Sequence, residues 1–334
     1  KRQEYGSPGL TGLLSRPRNL FNWRFLEMLR QLRVLRQIDV DAIDPAMTLG
    51  DLLEAQNFGE SLVSNYLVPL CATTWSLSST TLEDLPARHV LQFMAGYHLR
   101  MPEQGQWRVI SGGSRRYVDA FVERFSGSLK TGERVLRVHR DAEGIEVVRH
   151  SGSQRFDALV LACHADQALG LLAAPSELES EILGAIRYRE NRVVVHSDPA
   201  VMPLDQGTWA SWNALVDDGC QVTYWLNRLQ SLNTDEQFFV TLNPNVELEQ
   251  VWSSLSYRHP EFSQSVRAAQ QRFEQINGQQ ETYFCGAYWG WGSHEDAFVS
   301  GARTADVVLA RRPQRQAAQA RRVDGPVRLQ RRQR

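Results

Sequence analysis

Paired cysteines are missing from this chain. Its four cysteines, Cys71, Cys163, Cys220 and Cys285, stand far apart with no Cys-x-x-Cys among them, which excludes the common zinc and dithiol frameworks. Free, buried thiols in a reducing compartment follow as the expectation, and with them a cytoplasmic location and no metal. No apolar run approaches the roughly 18 residues of a membrane span, and no secretory apolar core is visible. An excess of one charge is also missing: 37 basic residues stand against 38 acidic ones. That balance is uneven along the chain. Residues 311–334 hold nine Arg and one Asp, leaving 28 basic against 37 acidic residues before them. Those Arg have no aromatic residues interleaved, so the tail makes a poor nucleic-acid footprint and no nucleic acid is expected as partner. The last absence is a glycine pattern. Gly-x-Gly-x-x-Gly, the turn that cradles a dinucleotide pyrophosphate, occurs nowhere in the sequence.

What is present describes an ordinary globular protein, with 42% hydrophobic and 22% charged residues, long enough at 334 residues for two domains. Residues 20–40 place Phe21, Phe25, Met28, Leu29, Leu32 and Leu35 at helical spacing. This reads as a core-packed helix with a solvated Arg face, though a basic amphipathic helix also suits peripheral contact with a membrane surface. Thr48 and Asp51 form a capping-box pattern, and residues 60–72 and 86–100 read as further helices. The character changes at Trp107. A short strand, a Gly-Gly turn and an amphipathic helix bearing Tyr117, Val118, Phe121, Val122 and Phe125 follow one another. The turn, "SGGSRR", lacks the Lys-Ser/Thr ending of a phosphate loop and reads as a packing or junction element. Strands are predicted over 135–138, 145–148 and 158–162, the last an apolar run suited to a parallel sheet covered on both faces. Helices follow from His164 and over 176–187. Three β-rich runs, "RVVVHSD", "TWASWNAL" and "CQVTYWLNRLQ", come next, and residues 246–277 read as short helices.

The most informative stretch is "YFCGAYWGWGSHEDAFVSGARTADVVL", Tyr283 to Leu309. Tyr283 to Cys285 read as a short buried strand, which Gly286 ends with no Cβ to keep a ligand from the backbone. Ser293 and Asp296 form a capping-box variant. The helix then presents Ala297, Gly301, Ala302, Ala305, Val308 and Leu309 on its inner side. Its free N–H groups suit a phosphate or an electron-rich carbonyl oxygen. A plain β-turn-α unit would use the same glycines for chain reversal alone.

This stretch resembles the C-terminal FAD-binding segment of the flavin-containing amine oxidase superfamily. "WRVISGGSRRYVDAF", "DALVLACHADQAL" and "VVVHSDPAVMPLDQGTWASWN" resemble its bacterial NAD/FAD-binding, amine-oxidase-like branch, and the resemblance runs from about Glu4 to Leu309. It implies an α/β fold, with a Rossmann-like FAD domain interleaved with an α+β substrate domain. Residues 1–105 would be a mainly helical substrate-domain segment, 106–168 an FAD segment, 169–281 the β-rich substrate domain and 282–310 the C-terminal FAD segment. The missing Gly-x-Gly-x-x-Gly and the abrupt start at Lys1 read as a chain lacking the family's first βαβ unit. The tail at 311–334 resembles nothing in the family and is expected to be disordered.

By the same resemblance, Gly286, Ala287 and Tyr288 would lie along the FAD phosphates and ribityl chain. Glu295, Asp296 and Ala297 would aim N–H groups at the pyrimidine end of the flavin. Val135 would receive the adenine, with Ala162 and Cys163 close to the adenosine half, and no reactive role is expected for Cys163. His294 stands where many relatives place a substrate-cage aromatic residue, and His196 is a second candidate for proton transfer. Trp209, Trp212, Trp225 and Trp289 could line an apolar pocket, although core packing is the competing reading. The implied activity is hydride transfer from a substrate C–H bond to FAD. The substrate would be a small-molecule amine or an unsaturated or cyclopropane acyl lipid. Where many amine oxidases carry a Lys, "YRENRVVVH" offers Asn191 and Arg192, which puts amine oxidation in question. The alternative is a non-catalytic flavoprotein or binding module that no longer holds FAD.

Overall fold

The computed structural model describes residues 17–75, 82–96, 108–216 and 220–323. The chain forms two interleaved units, one of Lys1–Leu129 with Arg187–Arg267, the other of Lys130–Ile186 with Ala268–Arg334.

In the first unit, helix α1 (Trp23–Gln37) begins where the Asn22 side chain accepts the Arg24 N–H at 3.1 Å. It buries Phe25, Met28, Gln31, Leu32 and Leu35. Phe21 departs from the sequence expectation. It ends a 3-10 turn, Pro17–Phe21, and the extended backbone of Asn22 swings it off the helical face into solvent. Helix α2 (Leu49–Ala55) carries both halves of its capping box, Thr48 N–H to Asp51 Oδ2 at 2.9 Å and Asp51 N–H to Thr48 Oγ1 at 3.1 Å. A π-helical turn at Val63–Leu67 then leads into α3 (Val68–Trp75), and α4 spans Ala87–Gly96. The expected strand near Trp107 is not formed: residues 108–110 have no regular structure, and Trp107 lies outside the described residues. Gly112 and Gly113, at φ of 80° and 85°, make the left-handed turn into α5 (Arg115–Arg124). None of the α5 residues is buried.

Five strands complete this unit: β5 (Tyr188–His196), β6 (Trp212–Val216), β7 (Cys220–Trp225), β8 (Phe239–Leu242) and β9 (Val251–Pro260). They form one antiparallel sheet in the order β6-β7-β8-β5-β9. Strand β9 corrects the expectation of short helices across 246–277. It lies at the sheet edge with most residues exposed on both faces, so burial leaves no apolar alternation there to be read. The helices of that stretch are α8 (Gln264–Gln270) and α9 (Phe273–Ile276).

The second unit holds an antiparallel sheet of β1 (Val135–Asp141), β2 (Gly144–Arg149) and β3 (Gly152–Phe156). It also holds a parallel pair, β4 (Leu159–Leu161) with β10 (Thr282–Phe284). The three β10 residues are buried. Strand β4 is not covered on both faces as expected: Leu161 is buried, but Val160 is 46% exposed. Helices α6 (Ala165–Leu171) and α7 (Glu177–Gly184) follow β4, and α10 (His294–Val323) follows β10. The Arg-rich stretch is helical as far as Val323, not disordered. Its Ala, Arg and Gln are good helix formers, and the Arg311 guanidinium donates to the Gly278 carbonyl.

The division falls after residues 129, 186 and 267, where the sequence pointed to 105, 168 and 281. Two ion pairs tie α7 to other elements of the second unit. Arg140 on β1 holds Glu179 through two bonds of 2.6 and 2.8 Å, both side chains almost wholly buried. Arg272, just before α9, holds Glu181 at 2.5 and 3.0 Å. Burial raises the Glu179 carboxyl, but Arg140 and the Ser176 N–H outweigh it and hold the group below its ordinary value.

Two stability predictions follow from buried charge. Arg140→Ala should destabilise the protein by about 3–5 kcal/mol, because it strands a buried carboxylate. The stabilisation by this pair should be full above the ordinary Glu range and fade as pH falls through the lowered folded value. Urea unfolding at pH 7 checks the first point, and unchanged stability would refute it. His89 on α4 stacks on Phe262 at 5.7 Å, and burial, aided by Arg267, pushes its pKa down to about 4. Protonation therefore favours the unfolded chain. Stability should decline by about 3 kcal/mol as pH drops from about 6.5 toward 4, and His89→Gln should flatten that part of the pH profile.

Candidate functional site

Strands β4 and β10 run parallel in the register Leu159–Thr282, Val160–Tyr283 and Leu161–Phe284, so both deliver their carboxyl ends to one edge. Each is followed by a turn and a helix, the arrangement in which open α/β sheets bind ligands. The Cys285 N–H donates to the Leu161 carbonyl at 3.1 Å, extending the pairing to the edge itself. Ala162, Cys163 and His164 leave β4 there beside Gly286, where an added Cβ would lie 3.6 Å from the Cys163 carbonyl oxygen.

Side chains that the sequence reading passed over fix the β10 side. The Ser300 hydroxyl accepts the Gly286 N–H at 2.8 Å, and its proton faces the carbonyls of Gly286 at 3.0 Å and Ala297 at 3.1 Å. Thr304, one turn later, approaches the Phe284 carbonyl at 3.5 Å. Gln270 Nε2 donates to the carbonyls of Tyr288 and Gly290 at 2.9 and 2.7 Å. Asn277 Oδ1 accepts the Phe284 N–H at 2.7 Å. The 3-10 turn Ala287–Trp289 is thus held from both sides. A hydroxyl pair at i and i+4 in a helix of small residues was the signal for Ser300 and Thr304. The expected inner face was wrong by part of a turn: Ser300 and Thr304 are buried, while Ala302, Ala305 and Leu309 are exposed.

The α10 N-terminus is capped as predicted. Ser293 N–H donates to Asp296 Oδ2 at 2.8 Å, and Asp296 N–H returns to Ser293 Oγ at 3.1 Å. Gly290 has a structural reason, since a Cβ there would sit 2.1 Å from Asp296 Oδ1. The cap changes the donor assignment. Asp296 spends its N–H on Ser293 Oγ and Ala297 on the Ser293 carbonyl at 3.2 Å, which leaves Glu295 of the three expected donors. Glu295 and His294 are exposed, and Ala297 is partly buried.

The other candidates lie on several elements of the two units. Val135 starts β1, half-buried, beside a register shift. Ala162 is exposed, and burial pushes the half-buried Cys163 thiol up, away from reactivity. His196, in the first unit, is wholly buried: Nδ1 accepts the Asp198 N–H at 3.2 Å, which assigns the proton to Nε2 for its 2.7 Å bond to Thr241 Oγ1. Burial lowers its pKa. It is a neutral structural histidine, which corrects the proton-transfer reading. Trp209 is buried in the core, and the partly buried Trp225 packs against it. Their rings meet edge-on at 5.3 Å, and their N–H groups donate to the Pro203 carbonyl and to Gln237 Oε1, each at 2.8 Å. Trp289, in the second unit, packs edge-on against Phe273 at 5.0 Å and donates to the Phe284 carbonyl at 3.2 Å. Trp212 remains exposed. Among the described residues no helix is long and apolar enough to cross a membrane, and no group of three or more His, Cys, Asp or Glu could hold a metal ion.

The family model described as "Flavin containing amine oxidoreductase" matches residues 8–196. The fold is similar to that of a CLA-producing fatty acid isomerase from P. acnes, with TM-score 0.60 and 13% identity over 86% of this chain and 75% of that one. It is also similar to a redesigned putrescine oxidase, with TM-score 0.61 and 12% identity over 87% and 76%. A reduced UDP-galactopyranose mutase gives TM-score 0.58 and 14% identity over 86% and 73%. No curated protein matches the chain in sequence.

If the hydroxyl clamp sets the turn, Ser300→Ala should cost about 1–2 kcal/mol, leaving the Gly286 N–H unsatisfied. An unfolding midpoint equal to that of the parent protein would show the clamp to be incidental.

Proposed function

The chain belongs to the flavin-containing amine oxidoreductase family, and on that premise we propose that Ala162–His164 and Gly286–Ala297 form part of its FAD site. The class itself is an FAD-dependent oxidoreductase of α/β amine-oxidase fold. The observation that carries the site assignment is the capped start of α10 beside the carboxyl edge of β4 and β10. The residues there fit one end of FAD better than the other. Glu295 and Asp296 make the helix start a poor place for a phosphate, whereas a neutral, electron-rich carbonyl can take the Glu295 N–H. The helix dipole then favours negative charge on the ring. Val135 remains the proposed adenine contact. When bound, FAD supplies the hydride acceptor. The second unit is the proposed FAD-binding part, and the β5–β9 sheet belongs to the proposed substrate domain.

The proposed substrate is an acyl lipid with an activated C–H bond, ahead of a simple amine. The similar folds include both a fatty acid isomerase and a putrescine oxidase, so fold does not choose between them. The chain has two lysines, Lys1 and Lys130, and neither is on the β5–β9 sheet. Asn191 is buried and engaged by Asn243, with His259 at 3.4 Å. Asn191 is thus spent on protein partners, and no ammonium group stands at that position. His294 is the remaining candidate for proton movement, being exposed beside the cap.

A second reading is a flavoprotein that no longer holds its cofactor. Flavin absorbance of the purified protein after saturation with FAD separates the two. The FAD reading predicts a retained yellow chromophore and about tenfold weaker retention in Ala297→Glu, where a carboxylate crowds the ring. A colourless protein, or an Ala297→Glu variant that retains FAD equally well, would contradict it. For the substrate, anaerobic mixing of the flavin-loaded protein with amines and with unsaturated acyl lipids should bleach the flavin with a lipid. Fast bleaching by a simple amine alone would restore amine oxidation.

A further inference from the structure

The corner of the chain before and into α1 carries an apolar cluster facing away from the core. Phe21 is 90% and Trp23 70% exposed, with Leu20 and Leu26 also exposed beside them. This is not a frayed end. Asn22 caps the helix, and Phe25, Met28, Leu32 and Leu35 anchor its opposite face in the core. One basic group lies against the cluster and a second follows further along the helix. The Arg24 guanidinium lies 5.7 Å from the centre of the Trp23 ring, and Arg33 is exposed one turn beyond Arg30, which Glu27 pairs. Residues 16–37 contain six Arg and one Glu, whereas the 310 residues before the tail carry an acidic excess.

We infer that this corner seats the protein on an anionic phospholipid surface. Rigid aromatic and leucine side chains on a turn-and-helix corner suit insertion at the headgroup boundary, where Trp and Phe are favoured. Arg24 can lay its stem along the Trp23 ring and keep its charge among lipid phosphates, and the exposed Arg33 adds positive charge further along the helix. The local charge selects the occupant: six Arg against one Glu over residues 16–37 favour an anionic surface over a neutral one, even though the rest of the chain before the tail is acidic. The inference does not depend on the flavin reading, because docking requires neither cofactor nor turnover.

The test is sedimentation of the full chain with vesicles of phosphatidylcholine alone and of phosphatidylcholine mixed with phosphatidylserine, at low and high salt. Binding is expected to the mixed vesicles and to weaken with salt. Arg24→Glu with Arg33→Glu should reduce it at least about twentyfold, since each basic residue contributes about fivefold. Phe21→Ser with Trp23→Ser should also abolish it, while Leu204→Ser, at another exposed apolar residue, should not. Brominated lipid should quench tryptophan fluorescence in the parent and less in Trp23→Phe, a readout that survives any instability of the double variants. Three results would overturn the inference. They are no binding of the parent to mixed vesicles, equal quenching in Trp23→Phe, and a dimer that Phe21→Ser with Trp23→Ser dissociates without any lipid binding.

Discussion

The bond between the Ser300 hydroxyl and the backbone of Gly286 is the constraint on which the candidate site depends. A parallel strand ends by releasing its backbone groups, and Gly286 would be left with an unsatisfied N–H beside a buried strand. Ser300 accepts that N–H from the second turn of α10 and faces the carbonyl of the same residue. The helix is thereby held at the strand end, the Ser293–Asp296 cap falls beside the turn, and Gln270 closes the turn from its other side. The backbone groups of Gly286–Ala297 proposed to meet FAD take their positions from this set of bonds.

The sequence disclosed the order of elements here because turn chemistry is local. Gly286, Ser293 and Asp296 mark the end of a strand and the start of a helix wherever they occur in that spacing, and the cap formed as read. The buried face of α10 was harder to read. Alanine and glycine at 301, 302 and 305 look like an inner face, but the helix is docked by hydrogen bonds through Ser300 and Thr304 instead of by apolar packing. Polar anchors of that kind are invisible to a hydrophobic pattern. The same reason hid β9, an edge strand rich in serine with little buried surface, and misplaced Phe21, which a single extended residue turned outward.

Buried aromatic and polar groups gave the opposite error. Trp209, Trp225 and His196 are residue types that often line sites, and from sequence they could be assigned either way. Their partners decide. Each indole N–H and both imidazole nitrogens are committed to the protein, and Thr241 links His196 to Thr223 at 2.9 Å across the β8–β7 pair. These groups build the sheet of the first unit and leave the choice between amine and lipid to other features. The substrate proposal therefore rests on residues other than these.

The central claim is that FAD lies against the edge formed by β4, β10 and the start of α10. Hydrogen exchange of the full chain with and without added FAD tests it at the level of single backbone amides. The account predicts slowed exchange at Gly286–Tyr288 and at Glu295, with the amides of β9 unchanged. Protection confined to other segments, or none at saturating FAD, would contradict it.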